Sequence, residues 1–342
     1  MSERPLDPVA ALREIAYLME RVQADGHRVR AFRVAADVVA GLSPAEIQRR
    51  AEAGTWRELS GLGETTAAVV AQALAGRVPD RLAQLRGEAE PLARGGEVLH
   101  AALRGDLHTH TDASDGTAAV ERSRDAADAL GYEYLAITDH SPRLTVANGL
   151  NAERLSRQLD QLDTLNRSEG CRLLSGIEVD IFPDGRLDQV PELLGRLDVV
   201  VASVHSELRM ESEPMTRRMV AAIANLHTNV LGHCTGRLIA GGRGRRPQSD
   251  FDAEVVFEAC RHFDVAVEIN SRPERADPPD ELLVLALETG CLFAIDSDAH
   301  APGQLDFPAY GAARASAVGI PAERIVNTWP LAELLAWTYA RR

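Results

Sequence analysis

Seven short apolar runs punctuate this chain, and six of them end in residue types that bind metal. They are 106–110 (DLHTH), 134–140 (YLAITDH), 173–178 (LLSGIE), 199–205 (VVVASVH), 229–233 (NVLGH), 265–270 (VAVEIN) and 293–300 (FAIDSDAH). Apolar runs of this length read as buried strands. Amphipathic helical segments lie among them: 152–166, with Leu155, Leu159, Leu162 and Leu165 on one side, then 254–262, 280–289 and 330–339. Strand–helix alternation predicts an α/β fold with a parallel sheet, and seven strands predict a closed or nearly closed barrel. His108, His110, His140, Glu178, His205, His233, Asp298 and His300 stand at the run ends. Side chains gathered at the same ends of successive strands are the layout of a barrel enzyme's site.

The pattern points to metal chemistry. His108 and His110 are two residues apart, so in extended backbone both face the same side and can reach one ion. Asp115, beside Gly116, adds a carboxylate from the following loop. A mixture of imidazole nitrogen and carboxylate oxygen suits zinc, manganese or iron. It holds too many imidazoles for calcium or magnesium. Six of the ten histidines fall at run ends; His27, His100, His227 and His262 do not, and are read as ordinary residues. A single histidine such as His205 is more often structural than a ligand. Six histidines and three acids in this arrangement argue against that bland explanation.

The 342 residues suffice for one large domain or two unequal ones. No apolar stretch reaches the roughly 20 residues that span a bilayer. The opening MSERPLDP lacks a signal-peptide pattern, so the cytoplasm is the expected location. Cys171, Cys234, Cys260 and Cys291 form no CxxC pair and are expected as buried, reduced thiols. Cys234 directly follows the candidate ligand His233. Net charge is −14, but residues 1–104 carry 14 arginines and 14 acids, so the whole deficit lies in 105–342. Bound cations would offset part of it. The acidic bulk argues against broad coating of nucleic acid. The chain contains no lysine, which excludes lysine imine chemistry.

Residues 1–85 read as helical. Asp7 before Pro8 is an N-cap, and Val9, Leu12, Ile15, Leu18, Met19 and Val22 form a stripe at helical spacing. Asp25-Gly26 is expected to stop that helix, a second to cover 29–39 and end at Gly41, and Ser43-Pro44-Ala45-Glu46 to open a third with a capping box. In 59–77, Gly61-Leu62-Gly63 makes a tight turn between two helices, and small Ala67 and Ala68 would allow close packing. This looks like a helix-hairpin-helix, which offers backbone N–H groups to a nucleic-acid phosphate. Gly61 and Gly63 are therefore candidate DNA contacts, with Arg28, Arg30 and Arg33 as a basic cluster beside His27. Residues 86–104 read as a linker and 105–342 as the barrel domain. Internal repeats and low-complexity tracts are absent from the sequence.

Two resemblances sharpen these expectations. Residues 27–39 (HRVRAFRVAADVV) and 58–70 (ELSGLGETTAAVV) resemble the N-terminal domain of family X DNA polymerases, over about residues 10–85. In that family the domain binds DNA ends and in some members is a 5′-deoxyribose-phosphate lyase. The lyase lysine should align at Val69 and a phosphate-contact lysine at Thr65, so lyase activity is not expected. The linker has no room for a polymerase palm, so polymerase activity is not expected either. From about residue 104 onward, HTHTDASDG, AITDH, GIEVD, ASVHS, LGHCTGR, EINSRPERAD and DSDAH resemble the polymerase and histidinol phosphatase (PHP) family. They are most similar to the PHP domain attached to bacterial family X polymerases. That resemblance implies a distorted (β/α)7 barrel holding two or three divalent ions. One metal would be held by His108, His110, Glu178 and Asp298, a second by Glu178, His205 and His233, and a third by Asp115, His140 and His300. Cys234 stands where related domains usually carry proline, which alters the loop before Thr235-Gly236-Arg237.

The expected chemistry is hydrolysis of a phosphate ester by a metal-activated hydroxide attacking phosphorus in line. His205 and Asp298 are the catalytic candidates, with His205 or a metal-bound water protonating the leaving oxygen. Arg143, Arg237, Arg272 and Arg275 are candidate phosphate ligands, and the run 241–246 (GGRGRR) a phosphate-gathering loop. The preferred substrate is a nucleic-acid 3′ end, by 3′–5′ exonuclease or 3′-phosphatase action. One alternative is a small-molecule phosphomonoesterase acting on a compound such as histidinol phosphate. Another is a non-catalytic DNA-end-binding protein whose barrel holds metal for stability alone.

Overall fold

The computed structural model describes residues 7–242 and 244–342, so Arg243 of the arginine run and the first six residues lie outside the described residues. The chain divides into two units, Met1–Pro91 and Leu92–Arg342. The first contains α1 (Pro8–Arg21), α2 (Gly26–Ala40), α3 (Pro44–Ala53), α4 (Glu64–Leu74) and α5 (Asp80–Glu88). Asp7 caps α1 by accepting from the Val9 N–H, and Leu12, Ile15 and Met19 enter the core. Val22 lies past the helix end and is exposed. Asp25 and Gly26 do not stop α1; they start α2. The Asp25 carboxylate accepts from the Arg28 N–H at 3.1 Å, because an aspartate before a helix satisfies its unpaired first donors. Ser43 caps α3 in the same way, while the Glu46 carboxylate pairs with Arg50.

The Gly61-Leu62-Gly63 turn links a short 3-10 turn, Trp56–Glu58, to α4. Gly61 sits at φ +95°, and a Cβ there would stand 2.9 Å from Val34 Cγ1 on α2. Ala67 faces the core as expected; Ala68 points to solvent and contributes nothing to the close packing.

The second unit begins inside the stretch read as a linker. α6 (Glu97–Ala102) precedes β1 (Gly105–Asp106), and later helices include α7 (Val120–Leu130), α8 (Ala152–Leu165), α9 (Pro191–Leu194), α10 (Ser212–Ile223), α11 (Ala253–His262), α12 (Asp280–Thr289), α13 (Pro308–Val318) and α14 (Leu331–Tyr339). Gly96, before α6, lies so close to α13 that a Cβ would overlap the Ala313 nitrogen. That contact makes the end of the supposed linker part of the barrel unit. The remaining strands are β2 (Tyr134–Ile137), β3 (Arg172–Asp180), β4 (Val199–Ser203), β5 (Val230–Leu231), β6 (Ala266–Asn270) and β7 (Phe293–Asp296). All pair in parallel, in chain order. β7 meets β1 through a bridge between Thr109 and Ala299, with the His110 N–H donating to the Ala299 carbonyl at 2.8 Å. The result is a nearly closed seven-stranded barrel.

Two-residue alternation sorts each strand. Ile177, Val200, Val267 and Ile295 pack outward in one core with Met215, Met219 and Phe257 from the helices. Ala136, Leu174, Val201, Ala266 and Ala294 fill a second core, with Leu334 and Trp337 of α14. Continuing that inward register toward the strand ends reaches His140, Glu178, His205, Asn270 and Asp298. The alternation that fills the barrel therefore also aims the polar ends into its mouth. All four cysteines are free and buried, and Cys234 packs in the outward core. Among the described residues, no helix is long and apolar enough to cross a membrane.

Candidate metal centre

Glu178, buried at the end of β3, is the centre of the site. Its Oε1 lies 2.8 Å from His233 Nε2 and 3.1 Å from His205 Nε2. Its Oε2 lies 2.8 Å from His140 Nδ1, 3.4 Å from His108 Nε2 and 3.6 Å from His110 Nε2. Five imidazoles thus surround one carboxylate. His110 Nε2 reaches Asp298 Oδ1 at 3.4 Å. Asp115 Oδ1, on the loop, lies 3.5 Å from His140 Nε2 and 3.4 Å from His300 Nε2. The nine expected ligands are therefore all brought together. Among the described residues, three ligand groups form: His108, His110 and Asp298; His140, Glu178 and His205; and His110, Asp115, His140 and His300. They differ from the expected sets in three respects. Glu178 is absent from the first group, His110 joins the third set, and His140 stands beside Glu178 and His205 in place of His233.

The donor set fits divalent cations. His108 Nε2, both nitrogens of His110, His140 Nδ1, Glu178 Oε2, His205 Nδ1 and His233 Nδ1 are buried with no aligned hydrogen-bond partner. His140 Nδ1 is close to Glu178 Oε2 but poorly oriented toward it, so that contact is not a hydrogen bond. Buried polar atoms left this way are costly unless something else satisfies them. The electrostatics agree. Burial alone would raise the Glu178 carboxyl, yet His205, His140 and His108 hold it well below the usual range. Burial alone would lower His140, yet Glu178 and Asp115 push it up to about 10. Buried His110, repelled by His300 and His140, falls to about 3. The Glu178 carboxylate is thus held ionised in a buried centre, the form in which it can hold a cation.

His233 and Asp298 carry this chemistry on strained backbone, with φ of +21° and +50°. Such strain in residues other than glycine clusters at functional sites. A supporting layer was not foreseen from the sequence. Glu268 on β6 touches His108 and His233; Asn270 touches Glu268 and Asp298. Asp139 accepts from the Thr111 N–H at 2.8 Å and from Gln158 at 2.6 Å, fixing the loop that presents Asp115. Asp180 accepts from the His205 N–H at 3.1 Å and lies 3.6 Å from its Nδ1. Asp106 accepts from the His108 and Ser297 N–H groups at 3.0 and 3.1 Å, across the barrel seam. Burial raises its carboxyl to about 7. The available signal was an acid inside an apolar run, at the spacing that continues the inward face.

The four arginines separate. Arg143 pairs with Asp180 at 3.0 Å, lies over the Phe182 ring and remains partly exposed at the rim. Arg272 is buried, with Nη1 at 2.9 Å from His300 Nδ1 and 2.8 Å from the Asp298 carbonyl. Arg275 lies 3.3 Å from Asp298 Oδ2. Arg237 instead donates to the Arg275 and Ala276 carbonyls, which makes it a brace of the neighbouring loop. Beyond this centre, in the first unit, Arg28 and Arg30 are exposed, whereas Arg33 pairs with Glu20 at 3.5 Å. The Gly63 N–H already donates to Thr66 Oγ1 at 2.9 Å. The donors a phosphate could meet are therefore the first N–H groups of α4 itself.

The PHP domain family matches residues 106–272, and the helix-hairpin-helix domain family matches residues 6–78. The DNA polymerase/3'-5' exonuclease PolX of Bacillus subtilis is 36% identical over 262 residues, 76% of this chain. The match covers 45% of that relative, so the chain spans less than half its length. A probable phosphatase of Escherichia coli, YcdX, is 28% identical over 241 residues, covering 66% of this chain and 90% of the relative. A probable phosphatase of Caldanaerobacter subterraneus is 29% identical over 207 residues, covering 57% and 75%. A solved histidinol phosphate phosphatase from Lactococcus lactis is 18% identical with a TM-score of 0.46, covering 64% of this chain and 94% of that one. That last likeness is too distant to bear on the chemistry. The chain thus joins a helix-hairpin-helix domain to a domain of the PHP family.

Proposed function

We propose that this chain is a metal-dependent phosphoesterase acting at nucleic-acid 3′ ends, as a 3′–5′ exonuclease or a 3′-phosphatase. The observation that carries the reading is the cluster of nine ligating side chains, with unpartnered buried nitrogens and oxygens, at one end of the barrel. The DNA end is favoured because the same chain carries a helix-hairpin-helix domain, and because the Bacillus relative is named as a 3'-5' exonuclease.

His108, His110, Asp115, His140, Glu178, His205, His233, Asp298 and His300 would hold two or three ions of zinc, manganese or iron. Bound divalent cations supply Lewis-acid charge at phosphoryl oxygens and make water nucleophilic near neutral pH. The residues do the rest. Arg143 reaches the substrate phosphate from the rim, and Arg272 and Arg275 add positive charge behind Asp298. Asp298 is kept anionic despite burial by His110, His108 and both arginines, which suits a ligand better than a proton acceptor. His205 faces Glu178 through Nε2 and Asp180 through Nδ1. His205 would serve as a ligand through Nε2, Asp180 holds its segment by accepting the His205 backbone N–H at 3.1 Å, and a water would protonate the leaving oxygen.

The test uses metal-analysed protein on 3′-labelled single-stranded and gapped DNA, alongside histidinol phosphate, with His108→Ala as control. Shortening or 3′-dephosphorylation that is lost in the variant and on chelation is the expected result. Intact DNA with rapid release of phosphate from the monoester would replace this reading with metabolite dephosphorylation. The acidity of residues 105–342 and the absence of lysine favour that second reading. DNA binding with no hydrolysis of either substrate would leave an accessory end-binding protein.

A further inference from the structure

Glu268 belongs to none of the ligand groups, yet it lies fully buried on β6 beside them. A buried carboxylate needs partners for every lone pair it exposes. Glu268 Oε1 lies 2.5 Å from His108 Nδ1. Its Oε2 accepts from the His233 backbone N–H and, at 3.2 Å, from Asn270 Nδ2. The same amide donates to Asp298 Oδ2 at 3.1 Å. An ionised carboxylate only accepts, so the His108 nitrogen facing it carries the hydrogen. The lone pair of a neutral His108 then resides at Nε2, which is buried, without an aligned partner and 3.4 Å from Glu178 Oε2. The second oxygen holds His233 at the residue whose backbone is strained, with its Nε2 aimed at Glu178.

We propose that Glu268 is a positioning residue that couples two metal positions. One oxygen selects the His108 tautomer and the other fixes the His233 backbone, so ligands of two different ions depend on one carboxylate. The proposal rests on the reading of His108 and His233 as ligands. Glu268→Gln makes the idea sharp. Its carboxamide oxygen must keep facing the two donors, the His233 N–H and Asn270. The amide NH2 then faces His108 Nδ1 and forces the hydrogen onto Nε2, removing that lone pair from the metal.

The experiment uses the full chain and zinc alone, read by zinc affinity and by nitrogen-15 signals of the histidine rings. In zinc-loaded wild type, His108 should carry hydrogen at Nδ1 and bind zinc through Nε2. Glu268→Gln should weaken zinc about 10- to 100-fold at the position reported by His108, and Glu268→Ala, which also releases the His233 N–H, at the positions reported by His108 and His233 together, as removal of an outer partner does. The rings of His140 and His300 should still report bound zinc. Asp115→Asn should give the converse pattern. Zinc bound through His108 Nδ1 in wild type would overturn the proposal. So would a Glu268→Gln protein with unchanged affinity and ring signals, or one that loses all positions equally while its circular dichroism is intact. If the variant does not fold, the wild-type tautomer decides. No turnover enters these readouts, so a correct tautomer in a protein that hydrolyses no DNA end would sink the substrate reading and leave this one standing.

Discussion

Arg143 is the one expected phosphate ligand with a guanidinium at the rim and a buried acid, Asp180, holding its other side. Removing a charge-assisted hydrogen bond costs about 1.5–3 kcal/mol. Arg143→Ala should therefore lower kcat/KM about 10- to 100-fold, mostly through KM, in steady-state assays on the preferred phosphoester. Arg237→Ala should behave differently, lowering the melting temperature before it changes KM, because its donors hold backbone carbonyls. A third residue reports on folding rather than the site. Burial lowers His100 on α6, against an opposing pull from Asp306. The unfolded chain then takes up the proton first as pH falls through about 6.5, and stability drops. His100→Gln should flatten that acid-side decline in denaturant titrations between about pH 7 and 5; an unchanged slope would show that other groups set it. Eight of the nine ligands were legible in the sequence because each stands where an apolar run ends, and Asp115 because it follows the first run in the next loop. Glu268 was not, because an acid inside VAVEIN reads as an interruption and its partner His108 is 160 residues away.

Elements were legible wherever a periodic pattern had a chemical boundary. Asp280–Thr289 matches the expected helix, and all seven strands lie within or beside the runs that announced them. Strand lengths were not legible. β1 and β5 are only two residues long, and just past them the Leu107, Thr109 and His233 N–H groups donate to the side chains of Asp296, Thr138 and Glu268. α6 was missed because six residues between glycines and arginines show little periodicity, and its contact with α13 joins positions more than 200 apart. The glycine turn of the first unit gives a contrast that can be measured. At Gly61 a Cβ would meet Val34 at 2.9 Å from a left-handed backbone, whereas Gly63 has open space and an ordinary φ of −89°. Gly61→Ala should destabilise that unit by about 1–3 kcal/mol. Gly63→Ala should stay within about 0.5 kcal/mol. Equal losses in chemical denaturation of the two variants would mean that the turn is not locked against α2.

At the scale of the whole molecule, charge sets the terms on which DNA can be engaged. Residues 1–104 are balanced, and the −14 lies entirely in the barrel portion. A polyanion approaching the site meets net repulsion outside the immediate surroundings of the metals and Arg143. On the proposed reading at DNA ends the helix-hairpin-helix unit would supply the attraction, and its exposed arginines on α2 are Arg28 and Arg30, since Arg33 is engaged by Glu20. The double variant Arg28→Glu with Arg30→Glu, in the full chain, should raise KM for DNA ends and leave turnover of a small phosphomonoester unchanged. It should also flatten the salt dependence of DNA binding by roughly 0.7 in log–log slope for each single-strand phosphate that is no longer neutralised. A small substrate carries no such atmosphere of counterions, so its KM should vary little with salt in either protein. If the double variant binds and processes DNA ends as the parent does, the first unit is not the attracting surface, and the barrel must hold its substrate by metal and Arg143 alone.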